Sequence, residues 1–313
     1  MFAPLDRVFS VIAGWIDTYA VIPVLYRCGW MQWAELSFDW MLICVYGVFA
    51  LLITFAVCGP LEAWLPIERW ASKKTVLVDV FYTVLARVGV LPIMSFLVFY
   101  QVQVVVNGFV VAHGYIPPTI ETMVPWLMGR PVLTFVVYAL ILDCSDYWRH
   151  RMSHMFGGWY ALHALHHAQR QMSFWSDDRN HLLDDFIGGV WFGVVALAIG
   201  VPPLQFPLLI MFMRFIESLS HANVRLSFGW LGDRLLVSPR FHRMHHGVLA
   251  AGQRSCNYAA VFPVWDILFG TADFSDAYPR TGDDEAPEAL ASGGYLAQQW
   301  GGLVLFLNQL RQP

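Results

Sequence analysis

Charged residues are scarce in this chain of 313 residues. Aspartate, glutamate, lysine and arginine make up only 13% of it, whereas hydrophobic residues make up 57%. A soluble domain, in which about a quarter of the residues are charged, could not bury so much apolar surface, so part of the chain must face lipid. The net charge of −4 lacks the basic field that nucleic acid requires, and no nucleic-acid partner is expected.

The cysteines exclude two further kinds of site. No Cys-x-x-Cys pair and no regular spacing occurs among the five: Cys28, Cys44, Cys58, Cys144 and Cys256. A disulfide framework or a thiolate zinc site is therefore not expected.

The N-terminal segment lacks the features of a signal peptide. Its apolar run is interrupted by Asp6, Arg7 and Asp17, and it has no clean basic head and no small-residue cleavage site. We expect instead an interfacial helix that holds Trp15 and Tyr19 at the level of the lipid headgroups.

Four stretches predict the parts of the chain that enter the membrane, because a bilayer core requires about 20 apolar residues of helix. They are residues 40–61, 88–112, 131–142 (continued toward water through Asp143 and Asp146) and 186–213. The last is interrupted by one glycine and three prolines: Gly200, Pro202, Pro203 and Pro207. Because proline cannot continue a helix interior, we expect this stretch to enter the membrane and return.

This pattern predicts an all-α integral membrane protein, a bundle of about four transmembrane helices with a helical cytosolic cap that carries the histidine tracts. Basic residues gather between the first two stretches and beside the histidines, so the histidine-bearing segments are expected to face the cytoplasm. Residues 1–130 form the N-terminal membrane segments, residues 131–272 the histidine-rich domain, and residues 273–313 a polar tail with a short apolar stretch on the membrane.

Ten of the eleven histidines lie between residues 150 and 246, and eight of them form three short tracts. The first tract holds His150 and His154, the second His163, His166 and His167, and the third His242, His245 and His246. Positions three or four residues apart share one face of a helix, so each tract converges on one point, as imidazole ligation of a metal requires. Adjacent histidines point about 100° apart on a helix, so one tract either serves two metals or bends its extra ligand inward at a helix end.

Imidazole suits iron, zinc, copper and nickel, and eight or more imidazoles imply two ions, since four fill a tetrahedral site. A single His-x-x-x-His pair is a weak signal, and a lone histidine such as His113 is interpreted as a surface residue. Three tracts in one chain are much stronger evidence for a metal centre.

The order of the three tracts in a hydrophobic chain resembles the fatty acid hydroxylase and sterol desaturase superfamily over about residues 130–272. The resemblance includes Asn257-Tyr258 and the segment WDILFGT at residues 265–271, which is similar to the closing signature of the family. Pro239, the run Arg179-Asn180-His181 and His221 also fit its pattern.

The resemblance implies a non-haem di-iron centre that activates dioxygen and cleaves a C–H bond of a membrane lipid. It makes the eight tract histidines candidate ligands and His221 a ninth. His181 is open between ligation, support of a ligand, contact with a lipid head and a hydrogen-bonded place in a loop. Two electrons must come from outside, and no haem-carrier domain, flavin fingerprint or iron–sulfur cysteine set is recognised, so a separate ferredoxin- or reductase-type partner is expected.

Carboxylates beside the ligands are candidates to hold the imidazole rings. Asp143 and Asp146 lie seven and four residues before His150, and Glu217 lies four before His221. A carboxylate that accepts the far N–H of a ligand fixes its tautomer. The competing interpretation pairs these acids with nearby arginines, and Asn257 joins them as a candidate of uncertain role.

The leading hypothesis is thus an oxygen-dependent lipid hydroxylase. A desaturase would use the same centre and is the nearest alternative. A metal transporter, which should place polar residues within its spans, and a zinc hydrolase, for which nine imidazoles are too many, fit less well. The lipid and the oligomeric state are left open by the sequence.

Overall fold

The computed structural model describes residues 3–70, 73–88, 105, 108–109, 111–114, 118–200, 206–249 and 253–311. Its helices are α1 (Ala3–Ile16), α2 (Ile22–Cys28), α3 (Ala34–Trp64), α4 (Lys73–Arg87), α5 (Ile120–Met123), α6 (Pro131–Met155), α7 (Gly157–His167), α8 (Leu182–Ile199), α9 (Phe206–His221), α10 (Gly229–Leu235), α11 (Pro239–His245), α12 (Val264–Leu268), α13 (Glu288–Ser292) and α14 (Tyr295–Gln309). Within these residues no strand forms, and one isolated bridge joins Gly247 to Thr281. The predicted all-α class is confirmed.

Three helical segments of the described chain are long and apolar enough to cross a membrane: Asp6–Cys28, Met31–Trp64 and Pro131–Met155. The last two contain the predicted stretches 40–61 and 131–142, and the helix of 131–142 does continue past Asp143 and Asp146. The predicted stretch 88–112 lies almost entirely outside the described residues. The described residues thus contain three candidate spans, and the predicted count of about four is not confirmed.

The N-terminal segment, predicted as an interfacial helix, is also a candidate span. A five-residue π-helical turn, Asp17–Val21, joins α1 to α2, so that the segment meets the length and composition of a span. Asp6 accepts a hydrogen bond from the hydroxyl of Tyr46 on α3, 2.8 Å away. Pairing with a neighbouring helix reduces the cost of an acid at membrane depth, an effect that the charge count alone does not include.

Helices α8 and α9 are the two arms of the predicted re-entrant stretch. Asp184, in the first turn of α8, accepts a hydrogen bond from His163 of the second tract at 3.0 Å. His221, the last residue of α9, has its Nε2 3.2 Å from that of His166. The outer ends of both arms therefore meet at the histidines, as the predicted return requires. The turn was predicted at residues 200–203; Gly200 is described, and residues 201–203 lie outside the described residues.

The C-terminal segment packs against the helix of the second tract, with α14 lying along α7. Arg179, which is 1% exposed, pairs with Asp79 at 3.0 Å and donates to the carbonyls of Leu290 and Ala291. Residues 288–309 therefore pack against the rest of the described chain, and the expectation that their apolar stretch also lies on the membrane stays a prediction. One face of this segment covers α7, where it buries surface that the second tract would otherwise expose.

Candidate metal centre

The nine histidines predicted as ligands come together in two adjoining groups. The five-histidine group contains His150, His154, His163, His167 and His245; the four-histidine group contains His166, His221, His242 and His246. In each group one nitrogen of every ring lies within 4.8 Å of the corresponding nitrogen of every other ring. Eight of the nine side chains are buried and His154 is half-buried, so the rings face one another and not bulk water.

Adjacent histidines belong to different groups. His166 and His246 lie in the four-histidine group, whereas their neighbours His167 and His245 lie in the five-histidine group. The ring centroids of His167 and His246 are 4.5 Å apart, so the groups adjoin. The second and third tracts therefore each contribute rings to both groups, which is the arrangement expected if one tract serves two metals.

Local sequence explains how the third tract reaches this position. Ser238 caps α11 by accepting a hydrogen bond from the N–H of Phe241, and Pro239 occupies the first helical turn. Proline is preorganised for that position and has no N–H to leave unpaired. The short helix therefore starts at a fixed residue, and its three histidines follow in a fixed register.

Hydrogen bonds fix the tautomer of four rings. The Nδ1 atoms of His150, His221 and His245 lie 2.7 Å from the backbone carbonyls of Tyr258, Glu217 and Cys256, respectively. A carbonyl can only accept, so each Nδ1 carries the proton. Nδ1 of His163 likewise donates to the carboxylate of Asp184 at 3.0 Å. In all four rings the Nε2 lone pair is left for a ligand.

The free nitrogens fit bound metal ions. All five Nε2 atoms of the five-histidine group are buried and have no hydrogen-bond partner. In the four-histidine group, successive Nε2 atoms lie 3.1–3.2 Å apart. With metal–nitrogen bonds of about 2.0–2.1 Å, such spacings correspond to angles of about 100° at a shared ion, between octahedral and tetrahedral values. Without an ion, the buried lone pairs would lose their partners in water and gain none in the protein.

The rings are in the protonation state that ligation needs. Burial, followed by the charge of neighbouring imidazoles, lowers the pKa of His166, His167, His242 and His246 well below the ordinary value. Burial also lowers the pKa of His245, to about 3. Neutral rings at physiological pH can bind a cation without first releasing a proton.

The segment after the third tract supplies two of the carbonyls that hold the ligands. Asp266 accepts the N–H groups of Tyr258 and Ala259, and Asp143 accepts those of Val261 and Phe262, each at 2.8 Å. These carboxylates fix the loop whose carbonyls orient His150 and His245. Asp266 belongs to the WDILFGT segment, so that part of the family signature acts on the centre through the backbone.

Asn257 has a structural part in this loop. Its backbone φ of +57° places it in the left-handed region, which asparagine tolerates better than most residues. Its side chain donates to the carbonyls of Phe241 and Asp273 and accepts the N–H of Asp273. It ties α11 to the closing segment and bonds to no histidine ring.

The structure corrects the expectations for the flanking acids. Asp146 accepts from Arg149 at 2.6 Å, and the carboxylate of Glu217 faces Arg214 at 3.3 Å. It is the backbone carbonyl of Glu217, four residues before His221, that holds the ring of His221. The competing interpretation, pairing with arginine, describes both side chains better.

His181 lies outside both groups. Its Nε2 donates to the carbonyl of Gln299 at 2.9 Å, and its Nδ1 accepts the N–H of Leu183. It joins the loop after the second tract to α14. His113 is exposed and bonds only to the carbonyl of Phe109 among the described contacts, in agreement with its reading as a surface residue.

Asp184 is the carboxylate that the sequence did not reveal. It is 3% exposed and accepts from both His163 Nδ1 and Trp159 Nε1, at 3.0 and 2.8 Å. Burial alone would raise its pKa, but the hydrogen bond and charge interaction with His163, together with Arg149 and Trp159, outweigh burial and lower the pKa to about 2. The separation of 21 residues from His163 gives no helical signal. The only sequence feature that marks Asp184 is its place in an acidic pair at the predicted start of a helix. Acids are common there in any helix, because they interact favourably with the positive end of the helix dipole.

A cavity of about 300 Å³ adjoins both histidine groups. Its wall includes rings from each group, and the rest comes mainly from the facing sides of α8 and α9. This space is where a small molecule or part of a larger one can approach the centre.

Residues 135–271 match the profile of the family described as "Fatty acid hydroxylase". They form a fatty acid hydroxylase domain. The family predicted from the histidine tracts is confirmed, and the matched region nearly coincides with residues 130–272. Both histidine groups lie entirely within this domain.

Curated relatives of the domain act on lipids and sterols. "Ornithine lipid hydroxylase OlsE" of Rhizobium tropici is 27% identical over 252 residues, which cover 79% of this chain and 72% of the relative. "Alkylglycerol monooxygenase" of Homo sapiens is 31% identical over 42% of this chain, and "Methylsterol monooxygenase 1-3" of Arabidopsis thaliana is 31% identical over 45%. The matches span only 28% and 48% of those two proteins. No solved structure matches the chain.

Proposed function

We propose that this protein is a membrane-bound di-iron hydroxylase that inserts one atom of dioxygen into a C–H bond of a lipid. The observation that carries the proposal is the sorting of nine histidines into adjoining groups of five and four, with the Nε2 atoms of the five-histidine group buried and unpartnered. Two adjoining imidazole sites suit a pair of redox-active ions better than a single hydrolytic zinc, which needs an open position and few ligands. The lipid and sterol monooxygenases among the relatives support the same reaction class.

In this proposal His150, His154, His163, His167 and His245 hold one ion, and His166, His221, His242 and His246 hold the other. Iron bound there supplies the redox chemistry that activates dioxygen. The protein itself fixes the rings, since Asp184 and three backbone carbonyls hold their protons on Nδ1. Burial of eight of the nine rings shields these side chains from bulk water.

The reaction balances with an outside reductant. A C–H bond of the lipid becomes C–OH; the second oxygen atom leaves as water, which takes two protons and two electrons. We propose that a separate ferredoxin- or reductase-type protein supplies the electrons on the cytoplasmic side, where the positive-inside tendency places the tracts. The relative named as an ornithine lipid hydroxylase makes amino-acid-headed lipids candidate substrates.

Two measurements test the proposal. Protein purified in detergent should contain close to two metal ions per chain by mass spectrometry of the elements; a value near one or zero contradicts the two-ion centre. Lipid extracts of cells with and without the gene should differ by species heavier by one oxygen. A product that has lost two hydrogens and gained no oxygen would instead identify a desaturase on the same centre.

A further inference from the structure

Helix α4 lies outside the fatty acid hydroxylase domain, yet one of its faces bonds to the loop that follows the second histidine tract. Asp79, Thr83 and Arg87 are spaced four residues apart and share this face, and all three are buried. Asp79 pairs with Arg179 at 3.0 Å, and the hydroxyl of Thr83 donates to the carbonyl of Trp175 at 2.9 Å. These bonds hold the loop along α4, so that two of its acids lie beside Arg87.

Arg87 joins three parts of the chain at the end of that face. Its Nε donates to Asp178 at 2.6 Å, and its Nη2 donates to Oδ2 of Asp177 at 2.5 Å. Nη2 also donates to the hydroxyl of Ser218 on α9 at 2.8 Å, and this hydroxyl donates to the same Oδ2 of Asp177 at 3.1 Å. Two donors therefore fix one carboxylate oxygen of Asp177, which determines where its second oxygen lies.

The second oxygen of Asp177 lies beside the proposed metal ligand His221. Oδ1 is 3.6 Å from Nδ1 of the ring, the nitrogen that donates its proton to the carbonyl of Glu217 at 2.7 Å. A distance of 3.6 Å is too long for a hydrogen bond, so the carboxylate acts on the ring by its charge. Both side chains are only 5% exposed, and a charge in such a site is screened less than in water. Negative charge next to the Nδ1 proton makes the opposite nitrogen, Nε2, a stronger ligand for a cation.

Asp178 provides a comparison for this contact within the same loop. It follows Asp177 in the chain, is equally buried and pairs with the same arginine. Among the described residues its other ion-pair partner is Arg214, at 3.5 Å, and no histidine ring lies within ion-pair distance of it. Removing the charge of Asp178 would therefore weaken the hold on the loop, whereas removing that of Asp177 would also take a charge from beside His221.

Close packing of α3 fixes the end of α4 that carries Arg87. A Cβ atom at Gly47 would lie 1.9 Å from the carbonyl oxygen of Arg87, so only glycine fits where the two helices meet. Helix α3 belongs to the candidate span Met31–Trp64. This packing connects a candidate span to the four-histidine group through Arg87 and Asp177.

We propose that Arg87 and Asp177 are positioning residues of the four-histidine group: Asp177 strengthens the ligand His221 by its charge, and Arg87 holds Asp177 in place. The inference rests on the proposed function, because it needs a metal ion bound to that group. Without Arg87, the carboxylate would lose the cation that compensates its burial and a donor that fixes its orientation. The charge beside His221 would then be displaced, and the ion would be bound more weakly.

Metal release from cobalt-loaded protein tests the proposal. Purified protein that holds two cobalt ions in detergent is dialysed against graded chelator concentrations, and the retained cobalt is measured. We expect Asp177→Asn to release one ion at about tenfold less chelator than the wild type, the low end of the effect of such partners, because the contact is not a hydrogen bond. The other ion should leave at an unchanged concentration. Asp178→Asn is the matched control and should release both ions as the wild type does.

Variants of Arg87 test whether it acts through Asp177. Arg87→Met removes the charge at a similar side-chain length and should weaken the same ion as Asp177→Asn. Because the two residues act in series, the double variant should lose no more affinity than the more affected single variant. Arg87→Lys keeps the charge and should recover part of the loss; it replaces Arg87→Met if that variant does not fold. At saturating cobalt, the visible absorption that reports the ligand field should shift in Asp177→Asn and stay unchanged in Asp178→Asn.

The pattern of release separates the possible failures. A wild type with two ions and an Asp177→Asn variant that releases both at unchanged concentrations overturns this inference and leaves the hydroxylase proposal standing. Equal early release from Asp177→Asn and Asp178→Asn also overturns it, because the acids would then act only by holding the loop. Additive losses in the double variant would show that Arg87 does not act through Asp177. Fewer than two ions in the wild type contradicts the proposed function, and this inference with it.

Discussion

Replacing Asp184 with asparagine should weaken the five-histidine group selectively. The carboxylate accepts two buried N–H groups, from His163 and Trp159. An asparagine side chain offers one oxygen and one NH₂ group, so it can accept one of these bonds and must present a donor to the other. If the NH₂ group faces His163, the ring shifts its proton to Nε2 and loses the lone pair that binds the ion.

The expected loss of metal affinity follows from the hydrogen bond by which Asp184 orients the ring of His163. Removing a carboxylate that orients a ligand imidazole typically lowers metal affinity by about 10- to 100-fold, or roughly 1.4–2.7 kcal/mol. The four-histidine group receives no hydrogen bond from Asp184, so its ion should remain. After dialysis against a graded series of chelator concentrations, Asp184→Asn should release its first ion at about 10- to 100-fold less chelator than the wild type, and its second at an unchanged concentration.

Asp185→Asn is the matched control, because it makes the same substitution one residue along α8 at a side chain with no bond to a histidine. It should release both ions at wild-type chelator concentrations. Equal retention of both ions by Asp184→Asn and the wild type would refute the role assigned to Asp184. Loss of both ions together from Asp184→Asn would show that the two groups do not bind independently.

Three further predictions concern the ligands, the topology and the response to acid. His167→Ala and His246→Ala, one in each group, should each abolish turnover while the protein is still found in the membrane; retained activity in both would mean that the tracts are not the active site. Cysteines introduced at Arg170 and Arg254 should be labelled from the same, cytoplasmic, side, and opposite sides would make a shared centre impossible. Asp233 accepts from Ser227, Phe228 and Arg240, and these bonds outweigh burial and lower its pKa. Asp233 therefore stabilises the folded state above the ordinary carboxyl pKa of 3.8, and this stabilisation is lost as pH falls below that value. Below it, the melting temperature of Asp233→Asn should consequently fall less steeply with pH than that of the wild type.

The sequence was sufficient to find the histidines, because the information is local. Spacings of three and four residues place rings on one face of a helix whatever the rest of the chain does. The nine predicted residues are the nine that the structure brings together. Which group each ring joins depends on where the helices cross, and for that reason the division of His166 from His167 had to come from the structure.

The partners of the rings could not be found in this way. The carbonyls of Tyr258 and Cys256 orient two ligands, but every residue has a carbonyl, and nothing in the residue type marks these. Asp146 had the helical spacing of a supporting acid, yet Arg149 lies one turn away on the same helix and is the nearer partner. A side chain pairs with whichever partner lies nearest in the folded structure, and the spacing of Asp146 from His150 says nothing about the other possible partners.

The packing of the C-terminal segment determines what a truncation of the protein would do. A stop codon before Glu288 removes no histidine and none of the three candidate spans of the described residues. It does remove the carbonyls of Leu290 and Ala291, which leaves the guanidinium of Arg179 buried with fewer acceptors, and it uncovers the helix that carries the second tract. A truncation that spares every candidate ligand is therefore expected to lower the amount of folded protein, because it destabilises the domain and leaves the histidines unchanged.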